Sequence, residues 1–474
     1  MEFYITTPIY YVNDKPHIGH AYTTIVADTI ARWRAAQGEA VTFSTGVDEN
    51  SQKTVDAARK NNEEIHAYID RMAETWSSTW AKLGISNTDF IRTTEERHVE
   101  IVKDIWGRIE AAGDLYKGMY EGLYCKGHEA FIKESDLVDG LCPEHKTEPE
   151  LVKEENYFFR LSEYQQRLME FYETHQEFVV PANRYREVMS FVEDGLEDVS
   201  FSREGKEWGI PVPNDPHQAI YVWADALVNY ISMVGIEGWE NHPADVHTVG
   251  KDILRFHAVI WPAMLMSAGL PLPGQIAANG FLTVGGTKMS KSLGNGVDPL
   301  DLAARYGIDA MRYFLLREVQ YGEDGDYSET KMKDRYNSDL ANGLGNFAAR
   351  VLTVAEKLPL AIVAPAPEFT GAIKAMRAAV HEKLTQFRFS DALGAVWAAI
   401  AFGDRYVNEE KIWELEEGPA RTAAMSNLIA LLEAVARELV PFMPETARKI
   451  GAAIAHDGDA VTIKKPEILF PRMK

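Results

Sequence analysis

The chain has 474 residues, 46% hydrophobic and 25% charged, with a net charge of −22. That is ample core for roughly two to four domains, and too acidic for a protein that merely coats nucleic acid. No long apolar run marks a membrane span and no basic-then-apolar leader marks a signal peptide; with only Cys125 and Cys142 present, the expectation is a reducing, cytoplasmic setting without a disulfide framework.

In chain order, Phe3 to Ile9 reads as a buried strand, followed by the string His17-Ile18-Gly19-His20 and a helical stretch from Ala21 to Ala36 with Gly38 just past its end. A strand at Ala40 to Ser44 and a helix from Ser51 continue the alternation, the opening of a parallel doubly wound sheet. The region 116–215 is loop-rich, holds both cysteines and carries Gly/Pro punctuation from Gly140 to Pro149, so it reads as an insertion. Strands are then expected at Ile220 to Trp223, Val246 to Val249 and Gln275 to Ala278, with a helix from Ile253 to Met266. A Gly-flanked loop follows, Lys288-Met289-Ser290-Lys291-Ser292. Beyond about residue 335 the pattern is helical: Ser338 to Leu358, Ala372 to Val407 with a break at Phe387 to Ser390, and Arg421 to Val440. Residues 331–474 hold 19 basic and 18 acidic side chains, whereas the rest holds 30 against 53. A polyanion would meet least repulsion in that helical third.

A helix N-terminus offers free N–H groups and the positive end of a dipole, a cradle for phosphate, and histidines there add donors. Lysines on a loop suit a departing polyphosphate. Either string alone is open to a plain reading, a helix cap or a solvated loop; together, on these elements, they read as two halves of a nucleotide-activating site.

With Thr6 to Asn13 leading into the first string, Ile91 to His98, Glu155 to Arg160, Tyr221 to Ala226 and Gly250 to Ile253, the chain resembles the class I aminoacyl-tRNA synthetases along its whole length, and among them the methionyl family. The resemblance implies a Rossmann-type catalytic domain in two parts (1–115 and 216–283), a knuckle-bearing insertion (116–215), a lysine-loop linker (284–334) and an α-helical anticodon-binding domain (335–474). It implies activation of methionine by ATP and transfer to initiator and elongator methionine tRNA, with Mg²⁺ arriving on the ATP. By resemblance His17, Gly19, His20, Gly250, Asp252, Lys288 and Lys291 hold ATP, and His17, His20 and the two lysines stabilise the charge that moves. Asp252 would reach the ribose, a helix N-cap being the alternative. Ile9, Tyr11, Trp223, Leu227, Tyr230, Phe256 and His257 would form the thioether pocket, with aromatic edges suited to sulfur. Asp48 would receive the ammonium. The family's Thr-Asp-Glu-His-Gly stands here as Val47-Asp48-Glu49-Asn50-Ser51, so a histidine is replaced by Asn50.

Cys125-x-x-His128 and Cys142-x-x-His145 have the spacing of a tetrahedral zinc knuckle, and a metal-free knuckle with two buried thiols is the alternative. The insertion is far smaller than the editing insertion of the isoleucine, valine and leucine enzymes. In the helical third, Asn346 and Arg350 are four apart on one helix face and Trp413 matches a base-stacking tryptophan, with a core anchor as its alternative. The chain stops at Lys474, without the dimerising domain some relatives add, so a monomer is expected.

Overall fold

The computed structural model describes the chain except residues 1, 126–129, 133, 144–145, 206–207, 290–295, 357, 359, 362–363, 417, 458–459, 465–467 and 474, and the side chains of 120, 121, 130, 131, 135, 288 and 361. Its centre is a six-stranded parallel sheet. In chain order its strands are β1 (Glu2–Tyr11), β2 (Ala40–Asp48), β3 (Asp89–Arg92), β4 (Val179–Val180), β5 (Val246–Gly250) and β6 (Gln275–Asn279), arranged β3-β2-β1-β5-β6-β4. β1 pairs with β2 from Glu2↔Ala40 to Tyr11↔Asp48, and with β5 through Ile5↔Val246 and Thr6↔His247. The strand order reverses direction between β1 and β5, the switch point at which such sheets open a crevice beyond their carboxyl ends.

The helices that position the site are α1 (Ile18–Ala36), α2 (Glu96–Ala111), α3 (Val222–Ala226), α4 (Ile308–Glu318), α5 (Asn346–Ala355), α6 (Phe389–Glu409) and α7 (Pro419–Leu439). α1 is buried along most of its length, as a helix covered by the sheet on one side and α4 on the other should be. Residues 116–215 contain strands of an antiparallel sheet, Leu115–Cys125, Ala130–Ile132, Glu150–Phe159 and Val199–Ser200, but also β4, the sixth strand of the main sheet.

Two expectations are corrected. Ile220 to Trp223 is not a strand of the main sheet. Asp215–Ile220 belongs to a separate three-stranded sheet, and Val222 onward is helical. Its apolar character comes from burial on several sides, which a short run cannot assign to strand or helix. The segment Ser338 to Leu358 is not one uniform helix: Tyr336–Gly345 is wound as a π-helix before α5 begins. The expected break at Phe387 is present, with φ of +56° between Pro367–Thr385 and α6. The bundle crosses tightly at Gly403 of α6, where a Cβ would stand 2.6 Å from Cζ of Phe347 on α5. A small sheet of Leu360–Ala361, Ile454–Asp457 and Ala460–Ile463 closes the bundle, with no counterpart in the helical pattern.

A buried ion pair joins α1 to α4, and through α4 to the bundle. Asp28 of α1 and Arg312 of α4 are fully buried, with Oδ2 2.6 Å from Nη1. Arg312 also donates to the carbonyls of Phe442 and Pro441, each at 2.8 Å, in the turn after α7. Burial pushes the Asp28 carboxyl up, but Arg312, Arg32 and Ser86 outweigh it and hold the group below its ordinary range.

Candidate active site

His17 precedes α1 in extended backbone and caps it with its own ring. Its Nδ1 accepts from the Gly19 N–H at 3.1 Å, while the His17 N–H donates to Nδ1 of His20 at 3.2 Å. The rings stack with centroids 3.7 Å apart. A neutral imidazole that accepts on Nδ1 carries its proton on Nε2, so the cap fixes where each ring donates. Burial, then the neighbouring His17, pushes His20 well below the ordinary histidine value, so His20 contributes a neutral donor rather than a charge.

Both ends of the lysine loop return to this helix start. Met289 Cε lies 3.3 Å from where a Cβ on Gly19 would be, and the Ile18 N–H donates to the Val297 carbonyl at 2.9 Å. A Cβ at 19 would first meet the His17 ring, 2.9 Å away at Cε1, so glycine there permits the histidine cap and, beyond it, the loop's approach. Asp326 anchors the base of the loop, accepting from the Gly286 N–H and from Thr283 Oγ1, each at 2.7 Å. The backbone of Lys288 pairs with Thr283; its side chain and all of Lys291 lie outside the described residues.

On the amino-acid side, Asp48 ends β2 opposite Tyr11 and is 3% exposed. Trp223 stacks on Phe256 with centroids 4.0 Å apart and planes 11° apart. Phe256 and His257 lie on a one-turn π-helix, Phe256–Ile260, a distortion often found at functional sites. Tyr230 Oη is 2.7 Å from His257 Nε2, and His257 Nδ1 is 2.9 Å from the Ile253 carbonyl. The carbonyl can only accept, so Nδ1 donates to it and Nε2 receives the tyrosine proton. Burial lowers His257 to about 4, so this pair is uncharged at neutral pH. Tyr11, Trp223 and Phe256 pack against one apolar cluster that contains Leu227 and Tyr230, whereas Ile9, half-buried on β1, stands outside it. The buried Trp223 Nε1–H has no hydrogen-bond partner among the described residues.

Asp252 lies inside the short turn Lys251–Ile253, whose cap is Gly250, so it is not itself the N-cap. Its Oδ1 folds back to 2.6 Å from the position of a Cβ on Gly250. Lys251 pairs with Asp324 at 2.7 Å.

Composition and spacing did not reveal the support beneath Asp48. Asn50 Nδ2 donates to Asp225 Oδ2 at 2.7 Å and to the Thr93 carbonyl at 3.2 Å, and its N–H reaches Asp48 Oδ1 at 3.1 Å. His98 Nε2 lies 2.6 Å from Asp225 Oδ1. Glu49 is held by Arg92 Nε at 2.8 Å, by Thr94 and, through its carbonyl, by Trp208 Nε1 at 2.7 Å. His98 and Asp225 do fall inside two of the strings that carry the resemblance, the one available signal.

In the bundle, Arg350 Nη2 donates to Asn408 Oδ1 at 2.7 Å and its guanidinium lies 5.5 Å from the ring centre of Trp413. Trp413 is 50% exposed and so is not a core anchor. Asn346 is exposed one turn away, at a cavity of 280 Å³ shared with Asn342, Ile468 and Arg472. Cys125 and Cys142 are buried; His128 and His145 lie outside the described residues. Cys142 sits in a turn in which its N–H meets the Thr147 carbonyl and its carbonyl meets the Lys146 N–H, both at 2.9 Å.

The model of the class I (M) tRNA synthetases matches residues 3–150 and 145–352. The methionine–tRNA ligase of Thermotoga maritima is 44% identical over 472 residues, 95% of this chain and 75% of that one, and that of Streptomyces coelicolor is 42% identical over 520 residues, 100% and 97%. This chain belongs to the methionyl-tRNA synthetases. It is an aminoacyl-tRNA ligase of that family. A solved structure of the Mycobacterium tuberculosis methionyl-tRNA synthetase in complex with methionyl-adenylate is 38% identical and superposes with a TM-score of 0.94 over 99% of this chain and all of that one. The free form of the same synthetase gives 0.85 over 100% and 98%.

Proposed function

We propose that the crevice beyond β1, β2 and β5 joins L-methionine to ATP as methionyl-adenylate, and that the helical third brings methionine tRNA, initiator and elongator, to receive the acyl group. What carries the reading is convergence. Donor histidines fixed at the start of α1, the returning ends of the lysine loop, and a buried carboxylate at the end of β2 share one switch point.

Methionine's ammonium pairs with Asp48, and its thioether lies among Tyr11, Trp223, Leu227, Tyr230, Phe256 and His257, with Ile9 at the margin. An uncharged Tyr230–His257 pair suits a neutral side chain and disfavours a charged one. Methionine's carboxylate then attacks the α-phosphorus of ATP, a P–O bond forms and pyrophosphate leaves. The Nε2–H groups of His17 and His20 hold the phosphates, beside Gly19, whose own N–H is spent on the His17 cap; Lys288 and Lys291 follow the leaving group; Gly250 and Asp252 face the ribose. Orientation and charge stabilisation supply most of the rate, since the protein forms no covalent bond. Magnesium travels on the ATP and neutralises part of its charge. In the second step the tRNA's terminal ribose hydroxyl attacks the acyl carbon and AMP departs.

Asn346, Arg350 and Trp413 read the anticodon by edge hydrogen bonds and stacking. In the insertion, Cys125, His128, Cys142 and His145 would hold one structural zinc. Two buried thiols, one on a tight turn, fit the donor chemistry of such a site. Metal analysis should find about one zinc per chain, and less than about a tenth would exclude it. We assign the enzyme to the cytoplasm as a monomer; no helix among the described residues is long and apolar enough to cross a membrane.

The test is ATP–pyrophosphate exchange across a panel of amino acids, followed by aminoacylation of methionine tRNA. Exchange with methionine alone, and acylation of that tRNA, is the expected result. Exchange with a different amino acid overturns the pocket, and no exchange overturns the site.

A further inference from the structure

We propose that Asn50 is a positioning residue that fixes the distance between the two ends of the methionine site, an inference that rests on the roles given above to Asp48 and Trp223. Asn50 is 7% exposed, and both protons of its amide nitrogen are engaged. One goes to Asp225 Oδ2 and one to the Thr93 carbonyl, at 2.7 and 3.2 Å. Its main-chain N–H holds the Asp48 carboxylate at 3.1 Å. One residue therefore grips two carboxylates: Asp48, which meets the ammonium, and Asp225, two residues after Trp223 and two before Leu227 on the pocket wall.

Neither anchor is free to drift. On the Asp48 side, the Glu49 N–H donates to Thr93 Oγ1 at 2.9 Å, and its carboxylate is paired with Arg92. On the other side, Asp225 and His98 are 1% and 0% exposed and 2.6 Å apart. The Asp225 carboxylate accepts, so His98 donates to it from Nε2, while His98 Nδ1 lies 2.9 Å from Ser232 Oγ, which also reaches the Val228 carbonyl at 3.1 Å. The chain Asn50–Asp225–His98–Ser232 thus crosses from the end of β2, through α3, to α2 and to the helix bearing Tyr230. A direct side-chain hydrogen bond from Asn50 joins the Asp48 turn to α3. An asparagine does this with two donors on one nitrogen and no titration near neutral pH, which suits the position of a group that must not change charge beneath the ammonium site.

The experiment measures methionine-dependent exchange for the wild type, Asn50→Leu and Asn50→His. Leucine keeps the volume and removes both donors; histidine keeps a ring N–H. Asn50→Leu should raise KM for methionine about tenfold or more, the effect of a lost hydrogen bond to a buried charged group, with kcat within about threefold and KM for ATP within about twofold. Asn50→His should return KM for methionine most of the way. Should Asn50→Leu not fold, Asn50→Ser, too short to reach Asp225, takes its place with the same expected pattern. An unchanged KM for methionine, an equal rise for methionine and ATP, or a histidine variant as impaired as leucine overturns the positioning role. If the wild type itself shows no exchange with methionine, the reading of the site has failed instead.

Discussion

At the carboxyl ends of the sheet, Asp48, Asp225 and His257 are 3%, 1% and 1% exposed, each with named partners, whereas on the bundle Trp413 is 50% exposed and Asn346 is open to solvent. The two regions face different recognition problems. A small amino acid offers few atoms, so its site must be enclosed and held in shape before the ligand arrives, or ordering would consume the affinity. An anticodon loop, the ligand proposed for the bundle, would arrive with its own stacked bases, for which an exposed ring with a guanidinium beside it suffices. Enclosure here is built from hydrogen bonds among residues far apart in the chain; openness is built from one helix face and one neighbouring tryptophan.

The joint between the regions is where the contrast breaks most easily. Arg312→Met leaves Asp28 buried without its principal partner and the carbonyls of Pro441 and Phe442 without their donor. Removing one member of a buried pair should cost about 3–5 kcal/mol of unfolding free energy, read in urea titrations. Exchange and aminoacylation should fall together once the fold is lost. A loss of aminoacylation alone, at unchanged stability, would show that the joint serves only the bundle.

A smaller effect, confined to the enclosed side, is expected from Asp48→Ala. Loss of one buried partner of the ammonium should lower kcat/KM for methionine in exchange by about 30-fold to 5,000-fold, the scale of truncating a buried charge pair by 2–5 kcal/mol. Apparent affinity for ATP and for tRNA should change little. If ATP suffers equally, Asp48 is shaping the whole crevice rather than reading the ammonium.

What was legible in the chain follows the same contrast. The open face is local: Asn346 and Arg350 share a helix surface by spacing alone, whereas Trp413 was singled out only by its match to a base-stacking tryptophan, with a core anchor as the alternative. The strand, capped turn and helix around His17 were equally local. The enclosed site was legible only as strings. His98 and Asp225 were inside those strings, but nothing in composition or period joins residues 127 apart, or shows that Asn50 is the link between them. Val179–Val180 escaped notice because a two-residue edge strand has no period, and Ile220 to Trp223 misled because an apolar run buried on several sides fits strand and helix alike.

The smallest effect, and the sharpest test of the comparison, is Trp413→Ala. Half of the ring already faces solvent, so little burial is lost on truncation, and stability should change by less than about 1 kcal/mol. Stacking of one base on an aromatic ring is worth about 1–3 kcal/mol, so kcat/KM for tRNA should fall roughly 5-fold to 150-fold while methionine-dependent exchange stays at the wild-type level. Arg350 sets the internal control. Its guanidinium lies 5.5 Å from the ring centre but is held independently by Asn408 and Asp404, so it should keep its place when the ring is gone. Trp413→Phe, which restores a π-face of smaller area, should recover part of the tRNA effect. Equal losses in exchange and aminoacylation would mean that Trp413 supports the fold, and the open face would then have to be sought around Asn346 and the neighbouring cavity instead.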